Sequence, residues 1–252
     1  MLYVVSNSTK KYVPSKDSFW VVEGITTKDL VNKVENTEDE VIAIGGGAVI
    51  DYAKMMCKNP ILCYPTTAAG SARTSHSVYW DEGTKLSLEV PKPKQVIIEP
   101  RYLKGLHQNT IENTTYDLIS HILESMWSKK STDESGEYVA QSLDYFKEGG
   151  LVNLIKAGNL AGKAIELTGT NIIHSLSYPM TGYYGISHGE SLGFLLPKIA
   201  PFFGFKLSKL INIPQKNLNI NIEFIINEAL KYDKIHDVNK EIDKNILMRL
   251  LN

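Results

Sequence analysis

Cysteine is scarce in this chain: Cys57 and Cys63 are the only two in 252 residues, and neither stands at a metal-type or redox-type spacing from the other. That excludes a disulfide-stapled scaffold and a cysteine-ligated zinc or dithiol site, and reads as a cytoplasmic protein with two buried thiols. An excess of charge of one sign is lacking as well. Lys and Arg number 27 against 28 Asp and Glu, a formal net charge of -1. With no basic run next to stacking aromatics, nucleic acid is not an expected partner. Long hydrophobic runs are absent too, since the longest apolar patch, Gly193 to Phe205, is broken by Pro197, Lys198 and Pro201. It is no membrane span. The first residues, Met1 to Asn7, carry no basic segment and too short an apolar run for a signal peptide, so they are expected to form a strand.

What is present is a globular composition, 43% hydrophobic and 22% charged, enough for one large core or two modest ones. Short β-rich runs at Leu2–Val5 and Phe19–Val22 precede a helical stretch from Thr27 to Val34, with Thr27 as its cap. The clearest local signal follows. Val41-Ile42-Ala43-Ile44 is a fully apolar strand, Gly45-Gly46-Gly47 a turn, and Ala48 to Met56 a helix. Such a succession lets backbone N–H groups and a helix N-terminus approach a phosphate, although a glycine triplet also serves as a plain tight turn. It is not the G-x-G-x-x-G spacing of a Rossmann fingerprint. A further strand, Pro60 to Tyr64, runs into Pro65 to Thr74, where Thr66, Thr67, Ser71 and Thr74 offer hydroxyls to a ribose or phosphate. Strands at Ser77–Trp80, Leu86–Leu88 and Val96–Ile98 complete this half.

Helical spacing takes over from Tyr102. Asn109 with Glu112 and Ser131 with Glu134 read as capping boxes; Leu151–Leu167, Ile222–Tyr232 and Asp237–Leu251 read as further helices. The expected architecture is a Rossmann-like α/β dinucleotide-binding domain over 1–101, with a parallel sheet, followed by an all-α metal-binding domain over 102–252. On the first of these later helices Asp117 and His121 are four residues apart, one above the other. His174 and His188 are separated by Pro179, Gly182 and Gly185 and so come from different turns or elements. Together they make a three-nitrogen, one-oxygen set for a divalent metal, and each taken alone is an ordinary structural residue.

Gly45-Gly46-Gly47-Ala48-Val49-Ile50-Asp51-Tyr52-Ala53-Lys54 resembles the glycine-rich signature of the iron-containing (group III) alcohol dehydrogenases, and Pro65-Thr66-Thr67-Ala68 with Gly70-Ser71 resembles their threonine loop. Asp117, His121, His174 and His188 fall where that family has its metal ligands. The resemblance runs from Val41 to Pro197. It implies NAD or NADP as cofactor, held by Asn7, Gly45, Gly46, Gly47, Ala48, Asp51, Thr66, Thr67, Ser71, Thr74 and Lys85. It implies a divalent metal, Fe2+ ahead of Zn2+, and a small aldehyde or alcohol as partner, with room for a homo-oligomer. The Glu124–Ser128 segment and the Val78-Tyr79-Trp80 strand look most like the branch acting on phosphonoacetaldehyde and related phosphorylated aldehydes, with Arg73 as the anion's partner.

The departures bear on chemistry. Ala48 replaces a serine, Asn7 stands where an aspartate is common, and the threonine loop is one residue short. Tyr178 occupies the place of a histidine that relays protons in many relatives; it is the expected catalytic group, though an ordinary tyrosine pKa near 10 makes it a poor shuttle. The interval between the first two strands has no room for the helix that normally connects them, and the region after Pro197 is abbreviated. Two other readings fit the same residues. One is a degenerate non-catalytic paralogue acting as a binding or regulatory subunit; the other is a lyase of the dehydroquinate synthase type.

Overall fold

A computed structural model describes residues 1–34, 37–59, 61–214 and 217–252. Strands β1 (Leu2–Val5), β2 (Ser18–Val21), β3 (Val41–Gly45), β4 (Leu62–Pro65) and β7 (Gln95–Val96) form a parallel sheet in the order β2-β1-β3-β4-β7. Every residue of β3 is buried, as the unbroken apolar run requires of a central parallel strand. The strand expected from Pro60 starts at Leu62, and Pro60 itself lies outside the described residues. Between β1 and β2 the chain makes a 3₁₀ turn at Lys10–Tyr12 in place of a crossover helix. Helix α1 (Lys28–Asn32) is shorter than the hydrophobic spacing suggests, but Thr27 caps it, accepting from Leu30 N. Helix α2 (Gly47–Met56) follows β3 directly.

Strands β5 (His76–Asp81) and β6 (Thr84–Glu89) pair antiparallel as a separate hairpin. The hairpin is tied to α2 by two charged residues of the glycine signature. Asp51 Oδ2 accepts from Val78 N at 3.4 Å, and Lys54 Nζ, 3.1 Å from Asp51 Oδ1, donates to the carbonyls of Ser71 and His76. Buried charges of this kind persist because each has a partner.

The remainder is helical: α3 (Gln108–Trp127), α4 (Asp133–Glu148), α5 (Leu151–Thr168), α6 (Ile172–Tyr184), α7 (His188–Ile199), α8 (Ile222–Ala229) and α9 (Lys244–Leu251). The boundary expected at 101/102 falls inside the 3₁₀ turn Pro100–Leu103. Leu123 and Trp127 of α3, Leu176 of α6, Leu195 of α7 and Ile226 of α8 share one core with Leu247 of α9. Helix α6 continues through Pro179 and Gly182 and stops at Gly185, whose φ of 66° gives a left-handed cap. Among the described residues no helix is long and apolar enough to cross a membrane.

Three helix readings need correction. Helix α3 starts one residue before Asn109, with His107 at its cap and no side-chain capping bond, so Glu112 instead accepts from Gln108 Nε2 at 3.0 Å. The α4 capping box is formed by Thr132 and Ser135, not Ser131 and Glu134, because Thr132 is the residue with extended backbone. Its hydroxyl takes Ser135 N while Ser135 Oγ takes Thr132 N, leaving Glu134 to Tyr138. The last two helices are shorter than the pattern suggests. A 3₁₀ turn at Asp233–His236 and an irregular stretch to Asp243 separate them.

Helix α5 reaches the loop after β4 through bare backbone: a Cβ on Gly158 would lie 2.2 Å from the Ala68 carbonyl oxygen. No side chain can rotate to relieve that contact. Gly158→Ala is expected to cost about 1–3 kcal/mol, read as a lower denaturant midpoint. Gly136→Ala on α4, with nothing within 4 Å of its Cβ, should instead gain up to about 1 kcal/mol. Equal midpoints for the two variants would refute the close-approach account.

Candidate metal centre

Three helices deliver four side chains to one point. Asp117 and His121 stand one turn apart on α3, His174 lies in the first turn of α6, and His188 opens α7. Asp117 Oδ1 is 3.3 Å from His121 Nε2, 3.3 Å from His174 Nε2 and 3.8 Å from His188 Nε2. The rings of His121 and His174 stack with centroids 4.8 Å apart. Asp117 Oδ1 and His174 Nε2 are buried and make no hydrogen bond. An orphaned carboxylate oxygen facing three imidazole nitrogens is costly unless a cation completes it. Tetrahedral bonds of about 2.0–2.2 Å would set donor atoms ~3.3–3.6 Å apart, so the residues fit a divalent metal.

The electrostatics support the same fit. Burial pushes His121 down to about 4, against the pull of Asp117. Burial and then the Lys85 cation hold His188 well below the usual range, although its side chain is 29% exposed. Both imidazoles therefore keep a free lone pair near neutral pH, as ligation requires. Burial would raise Asp117, but the surrounding imidazoles outweigh it and keep the carboxylate ionised.

Two residues near the centre were not singled out in the sequence, Glu124 and, beside Tyr178, Lys234. Glu124, wholly buried on α3, accepts from Ile173 N at 2.7 Å and His174 N at 3.1 Å, so it caps α6; its other oxygen forms a short hydrogen bond with His174 Nδ1. A carboxylate on the far nitrogen fixes the ring's orientation and aims Nε2 at the site. The signal was available, since Glu124 follows His121 by three residues on the ligand-bearing face.

The centre opens into a cavity of about 520 Å³, with the α2 end of the sheet on its far side. Gly47, Ala48, Asp51, Ser71, Thr74 and Lys85 line it, as do all four metal-site residues and Tyr178. Gly46 caps α2 with no side-chain bond, so the first-turn amides at Gly47 and Ala48 are available to an anion. A Cβ on Gly47 would narrow the cradle, standing 3.5 Å from Ser71 Oγ. These residues fit a dinucleotide phosphate. Gly45, Gly46, Thr66 and Thr67 lie outside the cavity lining and shape the turn behind it, where Thr66 N donates to Gly45 O. Asn7 is also off the cavity, with its amide hydrogen-bonded to Glu23. Asp51 reaches the wall, but its oxygens are committed to Lys54 and Val78.

Arg73 is not where the sequence reading placed it. It lines a separate small cavity with Lys92 and Glu166, and its Nε donates to Asn159. The residue next to Tyr178 is instead Lys234, which donates to the phenol oxygen at 2.6 Å. Burial works to raise the tyrosine, but the charges of Lys234, Lys85 and His174 outweigh it and bring the phenol to about 7. The ordinary pKa near 10 therefore does not apply here. Of the other histidines, His76 lines the cavity wall, His107 precedes α3 and His236 is exposed.

A stability consequence follows for the metal-free protein. Burial lowers His174, yet Glu124 and Asp117 overcome this and raise it to about 9, above its ordinary 6.5. A raised pKa contributes stability that is complete below about 6.5 and is lost as pH rises through about 9. Thermal melts should show Tm falling across that window, and Glu124→Gln should flatten the fall. An unchanged slope in the variant would disprove the pairing.

Comparisons with known proteins bear on the family and the fold. Residues 111–243, more than half the chain, match the model of the Fe-containing alcohol dehydrogenase family, C-terminal. Phosphonoacetaldehyde reductase of Streptomyces viridochromogenes is 24% identical over a 320-residue alignment that covers 92% of this chain and 81% of the relative. Among solved structures, an iron-containing alcohol dehydrogenase from Thermotoga maritima superposes with a TM-score of 0.81 at 22% identity, covering 99% of this chain and 90% of that one. Sulfoacetaldehyde reductase from Bifidobacterium kashiwanohense, in complex with NAD+, gives 0.81 at 20%, covering 99% and 89%. The two structures speak to the fold alone, and the match over α3 to α8 speaks to descent: this chain belongs to the Fe-containing alcohol dehydrogenase family.

Proposed function

We propose that this chain is a metal-dependent, NAD(P)-linked alcohol dehydrogenase that works as a reductase of small aldehydes. The observation that carries the reading is the convergence of three imidazoles on Asp117 Oδ1, in the same cavity that the α2 amides enter. Asp117, His121, His174 and His188 would hold the metal, and iron and zinc both suit so nitrogen-rich a set. When bound, the ion supplies Lewis acidity at the substrate oxygen and the dinucleotide supplies the hydride.

The remaining work falls to the chain's own residues. The first-turn amides of α2 and the Ser71 hydroxyl hold the cofactor's phosphates, whereas the Thr74 hydroxyl is committed to the carbonyls of Ser71 and His76 and Lys85 Nζ lies 4.4 Å from the Tyr178 ring centroid. Glu124 keeps His174 in its ligating orientation. Trp80 stands edge-on to Tyr178, centroids 6.4 Å apart, and shields the reacting end of the cavity from water. Tyr178 Oη, bonded to Lys234, gives the proton that the reduced oxygen needs and is replenished through Thr170 Oγ1, 3.3 Å away. Phosphonoacetaldehyde reductase and sulfoacetaldehyde reductase act on short aldehydes with an anionic tail, and we assign this chain the same substrate class.

Metal content by mass spectrometry tests the reading, on protein prepared without chelator beside His174→Ala and His188→Ala. Near-stoichiometric iron or zinc in the parent is expected, with retention at least ~10-fold weaker in the variants. Tyr178→Phe should keep its metal while kcat for NAD(P)H-dependent aldehyde reduction falls roughly 100-fold. A parent protein that binds no metal even after anaerobic loading would sink the proposal.

A further inference from the structure

Lys234 sits on the 3₁₀ turn between α8 and α9 and sends its ammonium into the main cavity. There it donates to Thr170 Oγ1 at 2.8 Å and Tyr178 Oη at 2.6 Å. Among the described residues no carboxylate lies within ion-pairing distance of it. Lys85 approaches the same tyrosine: Nζ of Lys85 is 4.4 Å and Nζ of Lys234 4.5 Å from the Tyr178 ring centroid. Lys85 likewise has no ion pair among the described residues. Two nearby carboxylates are engaged elsewhere, Asp237 with Lys130 and Glu228 with Lys231.

Two partly buried cations share one aromatic ring, and neither has a carboxylate within ion-pairing distance among the described residues. Such a pair repels itself and is poorly hydrated, so the arrangement is relieved when an anion enters. A second space of about 380 Å³ shares Lys85, Tyr178 and Lys234 with the wall of the main cavity and is lined by Lys231 and Asp233 as well. That space has room for a tetrahedral head group. The distance to the metal centre is short: the Tyr178 ring centroid is 6.4 Å from those of His174 and of His188.

We infer that Lys234, positioned by Thr170, is the specificity-determining residue that binds the oxyanion tail of a short aldehyde, a phosphonate or sulfonate, while the carbonyl end faces the metal centre. This rests on the reductase reading for the identity of the reacting end. The tail's recognition is independent of it. Lys234 rewards an anionic tail with a charge-assisted bond and leaves an uncompensated charge beneath a neutral one. Lys85 adds its charge from the hairpin side.

Calorimetric titration of the full-length, metal-loaded protein with ethylphosphonate, ethanesulfonate and 1-propanol tests this without turnover. The two anions should bind at least about tenfold tighter than the alcohol, and Lys234→Met should erase that preference. The phosphonate and sulfonate arms rank the two head groups. Thr170→Val, which keeps the charge but frees it, should weaken anion binding several-fold and serves if Lys234→Met does not fold. No preference for the anions in the parent, or a preference unchanged by both variants, would overturn the inference. In kinetics, Lys234→Met should lower kcat/KM for sulfoacetaldehyde at least about tenfold more than for propanal. An equal loss for both would reduce Lys234 to a positioning residue for Tyr178 and overturn it. A parent that binds the anions but reduces neither aldehyde would sink the reductase reading while leaving the anion site standing.

Discussion

Everything at the centre depends on one buried carboxylate that touches no substrate. Glu124 ends the free amides of α6 and grips the far nitrogen of His174, so a helix terminus and a ligand are fixed by the same group. Beside it, Asn171 accepts from Trp127 Nε1 and donates to the Glu124 carbonyl, closing the junction between α3 and α6. The orientation of the candidate ligand His174 is thus set by helix capping as much as by its own position. Burial would make Glu124 costly to ionise, and His174 reverses that, holding the carboxyl below its usual range. Each stabilises the other's charge in a site where neither would be tolerated alone.

The sheet, its fully apolar central strand and the glycine turn before α2 were legible in the sequence because they rest on local rules: period, burial and the space a side chain needs. The four candidate ligands were legible through one i, i+4 pair and a family resemblance. What was hidden is non-local. Lys234 is 56 residues from the phenol it touches, and no spacing announces the pair. Tyr178 was judged by its ordinary acidity, whereas three neighbouring charges decide it. Arg73 seemed free to meet an anion and is instead turned toward Asn159. The capping boxes failed for a smaller reason: Ser135 does at Thr132 what a glutamate usually does, and such substitutions shift a boundary by one residue.

The residues of the glycine signature divide their work within this chain. Of the glycine segment, Gly47 and Ala48 face the cavity, while Asp51 and Lys54 hold the hairpin and the loop from Ser71 to His76. Half the motif therefore serves as carpentry for the other half. The absence of a serine at Ala48 removes a hydroxyl from the cradle and leaves its backbone donors in place, which is where a phosphate finds most of its partners.

The contact between Gly83 and Gly182 joins the hairpin to the helical half. A Cβ on Gly182 would stand 1.8 Å from the Gly83 carbonyl oxygen, so the hairpin tip rests on the bare backbone of α6. Backbone seated on backbone has no side-chain cushion to yield, and it sets the strand bearing Lys85 directly against the helix bearing His174 and Tyr178. The hairpin is thus held on two sides, by α6 at its tip and by Asp51 and Lys54 of α2 at its base, and it joins the two walls of the cavity.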